Sequence, residues 1–163
     1  MAISGAPAEL TWVTPEGVGV HLIEDENLDL TYLALENTSI RGASDYDLLE
    51  VRRSISAEFE TIEIRELIDL YRQAPEWNAK VLILMMLAAA TQEDHSSSIC
   101  TVIEDGIKFH QADVRRASAI ASMYTPWPEL QPVIESAATR DPDQQVRDLA
   151  AASLLNFSQR GLP

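Results

Sequence analysis

The spacing of apolar side chains changes once along this chain, from every second position to every third or fourth. Val18, Val20 and Leu22 alternate with small or polar neighbours. After the acidic stretch Glu24, Asp25, Glu26, Asn27, the alternation resumes at Leu28, Leu30, Tyr32 and Ala34. Period-two patterning around a polar turn predicts a β-hairpin. A helix over residues 28–36 competes with it, because Leu, Ala and Glu favour helices and few residues there are β-branched. Residues 1–16 set Gly5, Pro7 and Pro15 around a short apolar patch at Leu10, Trp12 and Val13 and read as a loosely docked arm, with Trp12 as its pin.

Beyond a turn-rich segment at residues 37–42, the pattern becomes helical. Ser44 stands three residues before Asp47, a capping signal, and Leu48, Val51, Arg52 and Ile55 follow at helical spacing. Ile64, Leu67, Ile68 and Tyr71 line one face of a second helix that Pro75 stops. Residues 77–90 are apolar almost all round, as in a helix covered on several sides. Residues 93–98 form a polar connection. Further helices follow from Ile99, Val102, Ile103 and Ile107, then from Val114, Ala117, Ile120 and Ala121. After a Pro-rich break at residues 125–128, Leu130, Val133, Ile134 and Ala137 continue at that spacing. Pro132 fits only in the first turn, so that helix starts close to Pro128. Beyond a corner at residues 141–143, Val146, Leu149, Ala150, Leu154 and Phe157 mark the last helix.

The helical part repeats. Val114-Arg115-Arg116-Ala117 superposes on Val146-Arg147-Asp148-Leu149 at an offset of 32, and a looser copy beginning Ala79-Lys80-Val81 precedes the first by 35. A period in the thirties, with two helices per unit, is what a helical solenoid requires, since each hairpin buries its apolar face only against neighbours. The corner Asp143 followed by Val146-Arg147, the small alanines of the second helices and the phrase Trp127-Pro128-Glu129-Leu130 resemble HEAT repeats. The resemblance covers roughly residues 60–160; the copy at Lys80 lacks both the Val-Arg pair and the corner aspartate. It implies a mostly α protein with a short stack of about three helical hairpins. Lys80, Arg115 and Arg147 would form a ladder with Asp113 and Asp143 across hairpins. The domain reading is an arm and β-hairpin over residues 1–44 and the helical stack over residues 45–163, in one compact unit overall.

Charge narrows the function. Twelve Lys and Arg stand against 26 Asp and Glu, a formal net charge of -14 with a pI near 4.4. Such a surface repels phosphate backbones, which argues against direct nucleic-acid binding and against a glycosylase-like use of a helical stack. The excess leans toward the N-terminus: residues 1–60 hold 12 acids and 3 bases. The longest apolar run, residues 81–90, is about half the roughly 20 residues that span a bilayer, so no membrane partner is expected. A single cysteine, Cys100, excludes an intramolecular disulfide, and the opening residues lack the pattern of a signal peptide, so the expected location is cytoplasmic.

The sequence offers little chemistry. His21, His95 and His110 lack the i+3 or i+4 companions of a zinc pair. Gly17-x-Gly19 lacks the flanking strand and helix of a phosphate loop, and no positive neighbour activates Cys100. No enzymatic activity, metal or cofactor is expected. The expected role is therefore a non-enzymatic protein-binding module that captures a basic partner. Small size, acidity, a β-containing start and a short HEAT-like stack resemble bacterial immunity proteins, which implies an inhibitor of a basic cognate toxin such as a nuclease. Its contact carboxylates are expected at Glu24, Asp25, Glu26 and Asp29, or at Glu93, Asp94, Glu104 and Asp105. The alternatives are a generic regulatory or scaffold subunit, and a lyase-like accessory enzyme with a concave pocket.

Overall fold

The computed structural model describes residues 7–38, 43–90 and 96–159, in two compact units, Met1–Ile62 and Glu63–Pro163. The protein is mostly α, with three antiparallel strands at its N-terminal end.

In the first unit, β1 (Ala8–Val13), β2 (Val18–Asp25) and β3 (Leu30–Asn37) form a sheet in the order β1-β2-β3. The alternation over residues 18–34 thus folds as the expected hairpin, and the competing helix is absent from this segment. Within the arm expected over residues 1–16, Ala8–Val13 is instead a strand, pairing with β2 from Ala8↔Glu24 to Val13↔Gly19, while residues 1–6 lie outside the described residues. Pro7 precedes β1 and Pro15 follows it, so neither interrupts its ladder. The turn after β1 closes with the Gly17 amide donating to the Thr14 carbonyl at 3.0 Å and the Thr14 amide to the Val18 carbonyl at 2.8 Å. Gly17 sits at φ 96°, where a side chain would be strained.

Asp45–Glu58 forms α1. Ser44 and Asp47 make its capping box, the Asp47 amide donating to Ser44 Oγ at 3.3 Å and the Ser44 amide to Asp47 Oδ2 at 2.8 Å. Leu48, Val51 and Ile55, one face of the helix, are half-buried, and α1 packs on β3 and β2. That packing ties α1 to the sheet, so the division between units falls after Ile62, not at residue 44, and the chain forms two compact units, not one.

The second unit contains α2 (Ile64–Gln73), α3 (Trp77–Ala90), α4 (Ser97–Ile107), α5 (Ala112–Tyr124), α6 (Gln131–Arg140) and α7 (Gln144–Gln159). A single 3-10 turn at Pro128–Leu130 leads into α6, which places Pro132 in its first turn. The helices pair as α2-α3, α4-α5 and α6-α7. The first helices meet in series (α2 with α4, α4 with α6), as do the second (α3 with α5, α5 with α7). The α3 helix, touched by α2, α4 and α5, buries Ile83, Leu84, Met85, Leu87 and Ala88, which accounts for its nearly continuous apolar sequence. At the α4-α5 crossing a Cβ on Gly106 would stand 2.9 Å from Ser118 Oγ, so only glycine permits this approach. Buried hydroxyls join the second helices, Ser122 Oγ lying 2.8 Å from Ser153 Oγ.

Candidate protein-interaction surface

The basic residue that recurs in each second helix has one shared task. Lys80 Nζ donates to the Tyr71 carbonyl at 2.5 Å, Arg115 Nη1 to the Phe109 and His110 carbonyls at 3.0 and 2.9 Å, and Arg147 Nη1 to the Asp141 carbonyl at 2.5 Å. Each cation therefore serves carbonyls at or just beyond the end of the first helix of its own hairpin, groups that lack helical partners. Two of the three also reach the next hairpin. Arg115 grips Asp141 through Nε and Nη2, at 2.8 and 3.0 Å, and Lys80 lies 5.7 Å from the Phe109 ring centroid.

The ladder differs from the expected one in its acidic partners. Asp113 and Asp143 are taken by Arg116, at 2.9 and 2.6 Å, while Arg115 takes Asp141, the residue two before the expected corner aspartate. Arg116 holds the Asp143 carboxyl down to about 2, and Asp143 Oδ1 also accepts the Val146 amide at 3.0 Å, capping α7. With Arg115 and Arg116 bound to carboxylates, these cations form no free basic stripe for an anionic ligand.

The first unit presents a different surface. Residues 7–38 carry seven carboxylates and no lysine or arginine; the first basic residue in the chain is Arg41. Every residue of β1 is exposed. Side chains paired across an antiparallel sheet share a face. The pairs Leu10↔Leu22, Trp12↔Val20, Val20↔Leu35 and Leu22↔Leu33 therefore place six apolar side chains on one side. Three of them stand in solvent: Leu10 at 63%, Trp12 at 51% and Leu33 at 40% exposure.

The opposite face carries Glu9, His21 and Glu36, one from each strand. Glu9 Oε1 bonds His21 Nδ1, and Glu36 Oε1 lies 3.2 Å from Nε2, an ion-pair distance without hydrogen-bond alignment. The Glu9 hydrogen bond, joined by the negative charges of Glu36 and Glu9, raises the His21 pKa above its usual 6.5, and the same bond lowers that of Glu9. The histidine is thus committed to holding three strands together. A Cβ on the neighbouring Gly19 would come within 3.0 Å of Glu36, His21 and Thr38, so this glycine makes room for the cluster.

The carboxylates expected to contact a partner have separate fates. Glu24, near the end of β2, and Glu26 and Asp29, in the turn to β3, are exposed, and Asp29 takes a left-handed φ of 54°. Asp25 is 1% exposed, and its Oδ1 accepts the Asn27 and Leu28 amides at 2.9 and 3.2 Å. It builds the turn and offers no contact surface, a correction to its expected role. Glu104 and Asp105 are exposed within α4, and Glu104 bonds Lys108 one turn on, at 2.5 Å. Asp105 also has an inward influence: burial chiefly, with the Asp105 charge in support, pushes the Tyr71 hydroxyl up to about 12. Glu93, Asp94 and His95 lie outside the described residues. What sequence reading missed is the apolar face. Leu10 and Trp12 alternate with Glu9 and Thr11, but two prolines framed the segment as an arm.

Cys100 is buried, and burial, with the charges of Glu129 and Glu104, raises its thiol pKa, the opposite of what a nucleophile needs. No described helix is long and apolar enough to cross a membrane. Comparison with family models, curated proteins and solved structures returned no match.

Proposed function

We propose that this protein is a non-enzymatic binding module whose N-terminal unit captures a basic protein. One observation carries the reading: a three-stranded sheet bearing carboxylates and no lysine or arginine exposes leucine and tryptophan side chains beside them. Exposed apolar side chains supply binding energy that charge alone does not, and the negative field selects cationic partners and speeds their encounter. The acidic inhibitor of a basic toxin, such as a nuclease, is the form of this reading we favour. A protein surface that binds phosphate is cationic, and an acidic sheet is complementary to it. Serial packing of α2, α4 and α6, and of α3, α5 and α7, supports the HEAT-like likeness of the second unit, which serves here as scaffold. We place the encounter in the cytosol, where the buried Cys100 thiol stays reduced.

The alternative in the same class, a regulatory or scaffold subunit, draws support from the helical stack, whose ladder is closed on itself. Co-expression of the tagged chain with the protein encoded beside it separates the two. The inhibitor reading expects a toxic neighbour, growth rescue and a tight complex that weakens at least tenfold when salt is raised through the range where surface charges are screened. A non-toxic neighbour and no salt-sensitive complex would overturn it.

A further inference from the structure

We propose that β1 and the apolar face it shares with β2 and β3 form a docking edge for an extended basic segment of a partner protein, which adds to the sheet as a fourth strand beside β1. The inference rests on the reading that this unit binds a basic protein, and it names the place and the form of the contact.

Three features of the sheet lead to it. The strand order β1-β2-β3 leaves the outer edge of β1 without a neighbouring strand among the described residues. Unpaired backbone groups there are a template for another strand, and proteins normally blunt such edges with charge, proline or a covering element. Here the edge strand is six residues long, both prolines lie outside it, and Leu10, Trp12 and Val13 are 63%, 51% and 49% exposed. Among the described residues the edge is therefore open, and it is apolar on the side where Leu10 and Trp12 continue into Val20, Leu22, Leu33 and Leu35.

Charge selects the occupant. A second copy would bring six exposed carboxylates against six, with no lysine or arginine in residues 7–38 of either copy to separate them. Glu16 stands at the β1-β2 turn, while Glu24, Glu26 and Asp29 stand at the other end. An incoming strand places alternate side chains on the two faces of the sheet. On one face they would lie beside Leu10 and Trp12, and on the other beside Glu9, Thr11 and Val13. The matching segment alternates apolar with basic residues, so that its apolar side chains meet Leu10 and Trp12 and its basic ones lie in the negative field of Glu9 and of the carboxylates at the two turns.

The test uses the full-length chain and two labelled probes, an octapeptide of alternating lysine and valine and an octapeptide of lysine alone. The alternating peptide is expected to bind at least tenfold more tightly, to slow hydrogen exchange at amides 8–13, and to lose about tenfold in affinity in Trp12→Ser and in Leu33→Ser. Both replaced side chains are largely in solvent, so unchanged circular dichroism and melting are expected for the two variants. Equal binding of the two peptides without protection of residues 8–13 would overturn the docking edge and leave the basic-protein reading standing. Capture of the neighbouring gene's product with protection confined to other residues would do the same. Failure of both peptides and of that protein would overturn both proposals. Concentration-dependent dimerisation of the free chain, abolished by Trp12→Ser, would assign the edge to a second copy and overturn the basic occupant.

Discussion

Replacing Arg115 with methionine tests whether the ladder holds the second unit together. The Arg115 and Asp141 side chains are 11% and 6% exposed and share two hydrogen bonds, and Arg115 also serves the Phe109 and His110 carbonyls. In Arg115→Met the Asp141 carboxylate stays buried, keeping the hydrogen bond from the Asp143 amide at 2.9 Å and losing both bonds from the guanidinium. Removing one member of a buried pair costs about 3–5 kcal/mol, because the other charge loses both water and its counterion. For a unit of roughly 100 residues, that lowers the melting temperature by about 12 °C or more. Replacing both members with apolar residues, Arg115→Met with Asp141→Leu, removes the stranded charge and is expected to recover at least about 2 kcal/mol of the loss. Urea denaturation of the three proteins, with hydrogen exchange in α5 and α7 to locate the change, measures both quantities. A loss below about 1 kcal/mol in the single variant, the range of an exposed ion pair, would refute the reasoning. A double variant no more stable than the single one would refute it equally.

Other expectations follow from local geometry. Gly106→Ala would press a Cβ onto Ser118, a 0%-exposed residue with nowhere to move. Overpacking of about 1–3 kcal/mol should outweigh the gain of up to about 1 kcal/mol in helix propensity, and a more stable variant in urea denaturation would contradict the close α4-α5 approach. Ser44→Ala removes the hydroxyl of the α1 capping box and should cost about 1 kcal/mol, seen as faster hydrogen exchange in the first turn of α1 with the second unit unchanged. For His21, the folded pKa is raised, so its contribution to the sheet is full below its ordinary value of 6.5 and is lost as pH rises through the folded value. Glu9, whose pKa is lowered, contributes above its ordinary 4.5 and loses that contribution as pH falls through its folded value. An NMR titration of the His21 ring should give a midpoint above 6.5 that falls in Glu9→Gln; a midpoint at or below 6.5 in the unaltered protein would dispose of the three-strand cluster.

The helices were legible in the sequence because a one-sided apolar face at i, i+3, i+4 and i+7 has few other ways to be buried. The β2-β3 hairpin was legible in its period-two alternation around a polar break, although the composition of residues 28–36 suited a helix as well. The repeat of Lys80, Arg115 and Arg147 was visible too, since it marks the same position in successive hairpins. Their contacts were not. Arg115 meets Asp141 across 26 positions, and whether it takes Asp141 or Asp143 depends on how far one hairpin is rotated against the next, which no local pattern records. The sequence also could not tell Asp25 from Glu24: both belong to one acidic run, and only the turn decides that one carboxylate folds back on the Asn27 and Leu28 amides while its neighbour faces water. The strand β1 shows the same limit from the other side. Its alternation is short and framed by prolines, so its pairing with β2 is a tertiary fact, and the exposed apolar face of the sheet exists only once that pairing has formed. Sequence alone set the charge, the helical periodicity and the hairpin; long-range pairing decided which charged groups are locked inside the fold and which apolar ones are left outside it.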